Sequence, residues 1–259
     1  MDLGIKGRKA IVCASSQGLG LACATSLARE GCVIFINGRD ESRLAKAVAE
    51  IQAATGVRAT PVAADINTEP GRAKLVTACP QADILINNNA GPPPGELADW
   101  DHAAWLAALE ANMLAPILLI RGLLPGMRQR RFGRIVNITS AMVKSPRAHM
   151  GLSTAARTGL TALCKSLVPE VAKDNVTINN LLPERIDTGR QRFLAERMMR
   201  MEKITYEEAR AKIVDTIAAK RFGKPVEFGD ACAFLCSEQA SFISGQNLQL
   251  DGGSYKGLI

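Results

Sequence analysis

The run RIVNITSAMVKSPRAHMGLSTAARTGL, residues 134–160, holds the side chains best placed for chemistry. Ile135, Val136 and Ile138 read as a buried strand, and Thr139-Ser140 bring a hydroxyl to its C-terminal end. A polar loop with two titratable side chains, Lys144 and His149, leads into an apolar-periodic helix that opens at Ser153 and carries Arg157 one turn later. A hydroxyl at a strand's carboxyl end, followed by a helix bearing a cation, is how open α/β enzymes build a site. Arg157 offers a permanent charge and planar donors but is never a neutral proton carrier. Ser153, an aliphatic alcohol, has a pKa too high for ordinary general acid–base work. His149 reads first as an exposed loop residue.

Alternating strands and helices supply the frame for these groups. Residues 8–13 form an apolar strand, followed by a small-residue turn containing Ser15, Gln17, Gly18, Leu19 and Gly20, and then a helix. Backbone N–H groups and a helix dipole in such a turn make a cradle for phosphate, although two glycines spaced GxG equally serve a tight turn. The strand 32–36 ends at Asn37-Gly38-Arg39-Asp40, where a dinucleotide-binding unit reads its ribose. A guanidinium there suits a 2′-phosphate, so Arg39 points to NADP rather than NAD, with Asp40 capping the next helix. A third strand stops at Asp65-Ile66, where Asp65 can accept from an adenine amino group, and a fourth, 83–86, runs into Asn87, Asn88 and Asn89. A long helix is expected from Asp99, as its N-cap, to Leu124, with Asn112 among apolar neighbours. A buried Asn there bonds a local carbonyl or organises water. A strand over 175–182 closes at Pro183, and a polar, basic, helical stretch follows over 184–222. Its position after a strand end marks it as a lid, and its Met198, Met199 and Met201 serve either a ligand or the packing of a helical hairpin.

Composition narrows the field further. The chain has 259 residues, 47% of them hydrophobic, with no linker or repeat, so a single domain spanning residues 1–259 is expected. Six strand–helix alternations give an α/β fold, a Rossmann-type doubly wound parallel sheet. Seven cysteines without a CxxC pair, and only two histidines, argue for free thiols and against metal. No apolar run of spanning length is expected, and no signal-peptide core, so a cytoplasmic location follows. The net charge of +7 is dispersed and aromatics make up 4%, too few for nucleic-acid stacking. An anionic cofactor or substrate accounts for the excess positive charge.

On these motifs the chain resembles the short-chain dehydrogenase/reductase family over its full length, and within it the 3-oxoacyl-carrier-protein reductase-like branch. The family's TGxxxGxG loop matches Cys13 to Gly20, with Ala14 in place of the first glycine. Its NNAG motif matches either Asn87 to Ala90 or, with a one-residue slip, Asn88 to Gly91. Its PGxxxT segment matches Pro183 to Thr188, with Glu184 in place of glycine, and the tail through Asp251-Gly252-Gly253 also fits. The resemblance implies an NADP-dependent oxidoreductase acting by hydride transfer on the carbonyl, or the alcohol, of a small or thioester-linked substrate. It implies a homodimer or homotetramer built through the helices 99–124 and 153–172. It assigns Ser140 to polarising the carbonyl, Asn112 to a proton-relay water, and Ser15, Gln17, Gly18, Leu19, Gly20, Arg39, Asp65, Ile66, Asn88, Asn89, Pro183, Ile186 and Thr188 to the cofactor. The family's YxxxK pair, however, falls on Ser153 and Arg157. Arg157 then anchors the ribose, and the proton comes from Lys144 or from a water near Ser153. The alternatives are a catalytically silent NADP-binding subunit of a mixed oligomer and a nucleotide-responsive binding protein.

Overall fold

The structure, a computed structural model, describes residues 2–258. Seven strands form one sheet: β1 (Lys9–Val12), β2 (Val33–Gly38), β3 (Thr60–Ala63), β4 (Ile84–Asn87), β5 (Gly133–Ile138), β6 (Val176–Pro183) and β7 (Asn247–Leu250). Their order is β3-β2-β1-β4-β5-β6-β7, and every pairing is parallel. The chain winds outward from β1 to β3, then returns to lay β4 on the other side of β1. The crevice at that reversal, beyond the strands' carboxyl ends, is where such sheets bind ligands.

Both faces of the inner sheet are covered, which explains why β1 and β4 are near-continuous apolar runs. Ala10, Val12, Ile34, Ile36, Ile84, Ile86 and Val136 pack into one cluster. Ile11, Cys13, Leu85, Ile135 and Ile178 pack into the other. The first face carries α1 (Gly18–Arg29), α2 (Glu41–Thr55) and α9 (Pro225–Leu235). Helices α1 and α9 meet closely because Gly229 has no side chain: a Cβ there would lie 2.5 Å from Ala22 O. The second face carries α3 (Glu69–Ala78), α5 (Ala115–Gln129) and α6 (Gly151–Val171). Helix starts follow local capping, as expected for α2, where Asp40 accepts from Arg43 N at 3.0 Å.

The long helix departs from expectation at its start. Asp99 closes a short 3₁₀ turn, Leu97–Asp99, by accepting from Glu96 N at 2.9 Å. The extended Trp100 intervenes, and Asp101 caps α4 (His102–Leu109) by accepting from Ala104 N at 2.8 Å. A π turn, Glu110–Leu114, then joins α4 to α5. By length and composition the continuous run His102–Gln129 would suffice to cross a membrane, an 18-residue stretch of it having a mean hydropathy of 1.7, contrary to the sequence expectation that no run would. Its apolarity is explained on one side by packing: Leu119, Ile120, Leu123 and Met127 are buried against the sheet.

Residues 189–215 form a hairpin of α7 (Gly189–Glu202) and α8 (Tyr206–Asp215). It holds a small core of its own, where Met198 and Met199 pack with Ala195, Ala209 and Ile213. Two of the three lid methionines are therefore packing residues, while Met201 is exposed. All seven cysteines are free and buried. Arg128, Arg130 and Arg131 are paired with Glu170, Asp174 and Asp83.

Candidate active site

The turn between β1 and α1 is shaped for close approach by a ligand's backbone-bound group. Gly18 adopts φ +61°, and a Cβ on Gly20 would sit 2.5 Å from Ala14 O and 2.9 Å from Asn88 Nδ2. Ala14, standing where the family has glycine, is itself left-handed at φ 43°. The turn is fastened from behind. Ser15 is fully buried, donating from Oγ to Val12 O at 2.6 Å and accepting from Asn37 N at 3.0 Å. The Ser15 side chain therefore organises the cradle instead of facing a ligand, and its backbone N–H is likewise engaged, donating to Asn37 O at 2.8 Å. Asn37 completes the fastening: its amide donates to Val62 O and Ala64 O, and its Oδ1 accepts from Ala14 N. A polar residue closing an apolar strand was the available sequence signal for Asn37.

Arg39 stands exposed beyond β2 with no hydrogen bond or ion pair among the described residues. Next to it, Ser16 Oγ lies 3.3 Å from the position of a Cβ on Gly38, so a second polar group shares that strand end. Asp65 bends its own loop by accepting from Asn67 N at 3.0 Å, and Ile66 is buried in the core. Past β4, Asn87 still belongs to the sheet, its amide donating to Asn137 Oδ1 at 2.9 Å. Asn88 instead reaches Ala14 O at 3.1 Å, and Asn89 reaches Asn67 Oδ1 at 2.7 Å and Ala111 O at 3.0 Å. The crest loop is thus Asn88 to Gly91, the slipped alignment of the NNAG motif.

On the other side of the crest, Ser140 follows β5 and accepts from Met142 N at 3.2 Å. One lone pair is taken up in starting the 3₁₀ turn Ala141–Val143, while the hydroxyl proton remains free to donate. Asn112 sits in the π turn, a break that re-aims side chains and recurs at functional sites. Its amide makes only long bonds, 3.4 Å to both Ala90 O and Ala108 O, and its Oδ1 has no partner among the described residues. Asn112, Asn88, Asn89 and Arg157 line one small cavity, with room for about one water.

Ser153 and Arg157 lie one above the other on α6, both buried, at 2% and 8% exposure. Arg157 donates to Ser153 Oγ, its one hydrogen bond from the guanidinium, and its terminal nitrogens face Gly91. Burial, then the charge of Arg190, push Arg157 down to about 10. Thr188, at the start of α7, comes within 3.9 Å of the Cβ position on Gly18, which brings the far end of the motif 183–188 against the phosphate-type turn. Pro183 ends β6, and Ile186 is buried in a bridge with Gly223. Lys144 stands over the ring of Tyr255, 5.3 Å from its centroid, and His149 is an exposed loop residue.

Left-handed glycine, crowded Gly20, a free Arg39 and a strand-end hydroxyl fit a dinucleotide with a carbonyl substrate beside it. Known proteins agree with this geometry. A family described as enoyl-(acyl carrier protein) reductase matches residues 13–255. The chain is 31% identical to the uncharacterized oxidoreductase YvaG of Bacillus subtilis (strain 168), over 98% of each. It is 32% identical to the NADPH-dependent reductase BacG of the same organism, over 97% of this chain and 99% of that one. The structure of L-sorbose reductase from Gluconobacter frateurii, complexed with NADPH and L-sorbose, matches with a TM-score of 0.94 at 32% identity, covering all of both chains. From its parallel sheet, crest loops and these relatives, the chain belongs to the short-chain dehydrogenase/reductase family.

Proposed function

We propose that the chain is an NADP-dependent reductase of a carbonyl group, oxidising the corresponding alcohol in reverse, with a proton route that does not use tyrosine. The observation that carries this reading is the crest itself: a turn with no room for side chains at Gly20, facing a loop tied to it through Asn88. Gln17, Gly18, Leu19 and Gly20, in a turn held by Ser15, would hold the dinucleotide with Asp65, Ile66, Asn88, Asn89, Pro183, Ile186 and Thr188, and Arg39 would pair with its 2′-phosphate. When bound, the nicotinamide supplies the hydride. Ser140 donates a hydrogen bond from its free hydroxyl to the substrate oxygen and so polarises the carbonyl, and the guanidinium of Arg157 stabilises negative charge there while anchoring the ribose. Ser153 accepts from Arg157 and so positions it, which leaves it poorly suited as the acid. The water-sized cavity at Asn112 provides the proton path. Lys144, engaged by Tyr255, is the secondary candidate. The basic hairpin α7–α8 acts as a lid, the single domain works as a dimer or tetramer, and the free buried thiols suit a reducing, cytoplasmic setting.

The buried, occupied Ser153 also favours a second reading, an NADP-binding subunit without turnover. Titration with NADPH and NADH, followed by NADPH oxidation with a carbonyl panel, separates the two. The enzyme reading expects tighter NADPH binding, abolished preference in Arg39→Ala, and turnover lowered about 100-fold or more in Ser140→Ala. Tight NADPH binding with no turnover on any carbonyl supports the silent subunit, and absence of NADPH binding sinks both.

A further inference from the structure

Two guanidinium groups converge on the loop after β4. Nη1 and Nη2 of Arg157 lie 3.3 and 3.4 Å from the Cβ position on Gly91, and Arg190 of α7 reaches the next residue, Pro92 O, at 3.5 Å. Among the described residues no carboxylate lies within ion-pair distance of either. The acidic side chains on the same connection are already engaged from elsewhere: Glu184 by Arg147 at 2.8 Å, and Asp187 by Arg210 at 3.1 and 2.9 Å. The connection adds a further cation, Arg185, whose Nε is buried without a partner. Arg157 is the buried member of the pair, pushed down by its burial and by the charge of Arg190, whereas Arg190 is exposed on α7 at the mouth above it.

A buried cation without a counter-ion is costly, and a second cation facing it adds repulsion. Ribose hydroxyls carry no charge and relieve neither cost. A planar anion does, because a carboxylate accepts two parallel bonds from a guanidinium fork. Resting on the carbonyl-reductase reading, we propose that Arg190, backed by Arg157, receives a carboxylate of the substrate, so that the substrate is an oxo acid and the product its hydroxy acid. Arg190 is the specificity-determining residue in this arrangement, since Arg157 also serves the ribose. Its place on the lid couples anion binding to closure of α7 over the reacting carbonyl.

The test uses matched probes: 2-oxobutanoate, 3-oxobutanoate and 4-oxopentanoate, each beside its primary amide. Calorimetry on the NADP⁺-loaded full-length protein should show at least one acid binding about 10- to 100-fold more tightly than its amide. Arg190→Gln should erase most of that ratio, with the amide's affinity and the NADPH dissociation constant held within about twofold. Arg190→Lys should restore part of it, as charge without the fork. In turnover the loss should fall on KM, with kcat little changed. Equal binding of acids and amides overturns the proposal, as does an Arg190→Gln variant that loses NADPH affinity instead. Dihydroxyacetone phosphate binding more tightly than every acid overturns the carboxylate assignment. If the wild-type protein fails to bind NADPH, the reductase reading falls, and thermal shift of the unloaded protein with the same acid and amide pairs still judges the anion site.

Discussion

Ala14 shows how one residue records a constraint its neighbours impose. It holds φ 43° in a turn where its carbonyl accepts from Asn88 and its N–H donates to Asn37. A left-handed alanine costs about 1–2 kcal/mol against a relaxed backbone. Glycine removes that strain but loses about 0.5–1 kcal/mol more in chain entropy on folding. Ala14→Gly should therefore stabilise the protein by up to about 1 kcal/mol, read as a shifted urea midpoint at unchanged slope. A destabilised variant would mean that the alanine methyl packs well enough to offset the strain. At the same scale, side-chain chemistry was legible from sequence and its direction was not. Ser15 and Ser140 carry the same hydroxyl, yet burial turns the first into a fastener of the turn and leaves the second with a proton to donate. The four-residue spacing of Ser153 and Arg157 puts them on one face of α6, but which atoms meet, the guanidinium donating to Ser153 Oγ, is fixed only by the folded geometry.

Elements were read well where capping is local, and less well where tertiary packing selects among candidate caps. Asp40 caps α2 as its sequence announces, whereas Asp99 and Asp101 compete, and the packing of Trp100 against Gly151 settles the matter. The π turn at Asn112 shifts the helical phase, but residues 103–120 are apolar at so many positions that the shift leaves no visible mark in the sequence. Helix α9 offers a titratable example. Glu227, in its first turn, accepts from Arg221 at 2.7 and 2.8 Å and from Lys224 N at 2.6 Å. These partners, Arg221 foremost, hold its carboxyl down to about 2, well below the usual carboxylate range. A depressed carboxylate stabilises the folded state above its unfolded pKa, and that contribution fades as the pH falls through the folded one. Glu227→Gln should therefore lower Tm at pH 7, and the gap to wild type should narrow from pH 4.5 towards pH 2. A gap independent of pH would assign the effect to helix capping alone.

At the scale of the molecule, the parallel sheet was legible because its inner strands are largely apolar without alternation, and because the turn after β1, Arg39, Asp65, Asn88 and Ser140 all fell at strands' carboxyl ends. Surfaces that remain apolar after folding are informative in another way. Leu106 and Leu114 are 53% and 39% exposed on the long helix, whose apolarity exceeds what the core requires. A separate group is exposed towards the other end of the chain: Phe234 on α9, Phe242 ahead of β7, and Leu248 in β7 itself, an edge of the sheet. An unpaired edge strand flanked by aromatic side chains invites association. Two separate apolar faces, each paired with its own copy, would close the chain into a tetramer with two kinds of two-fold contact. Light scattering of the purified protein should accordingly give about four times the 27.7 kDa chain mass. Leu114→Arg should remove one contact and leave dimers, and Phe242→Asp should do the same through the other face. A wild-type monomer would sink this assignment. So would a variant that passes straight to monomers, since that would show a single interface where the exposed residues indicate two.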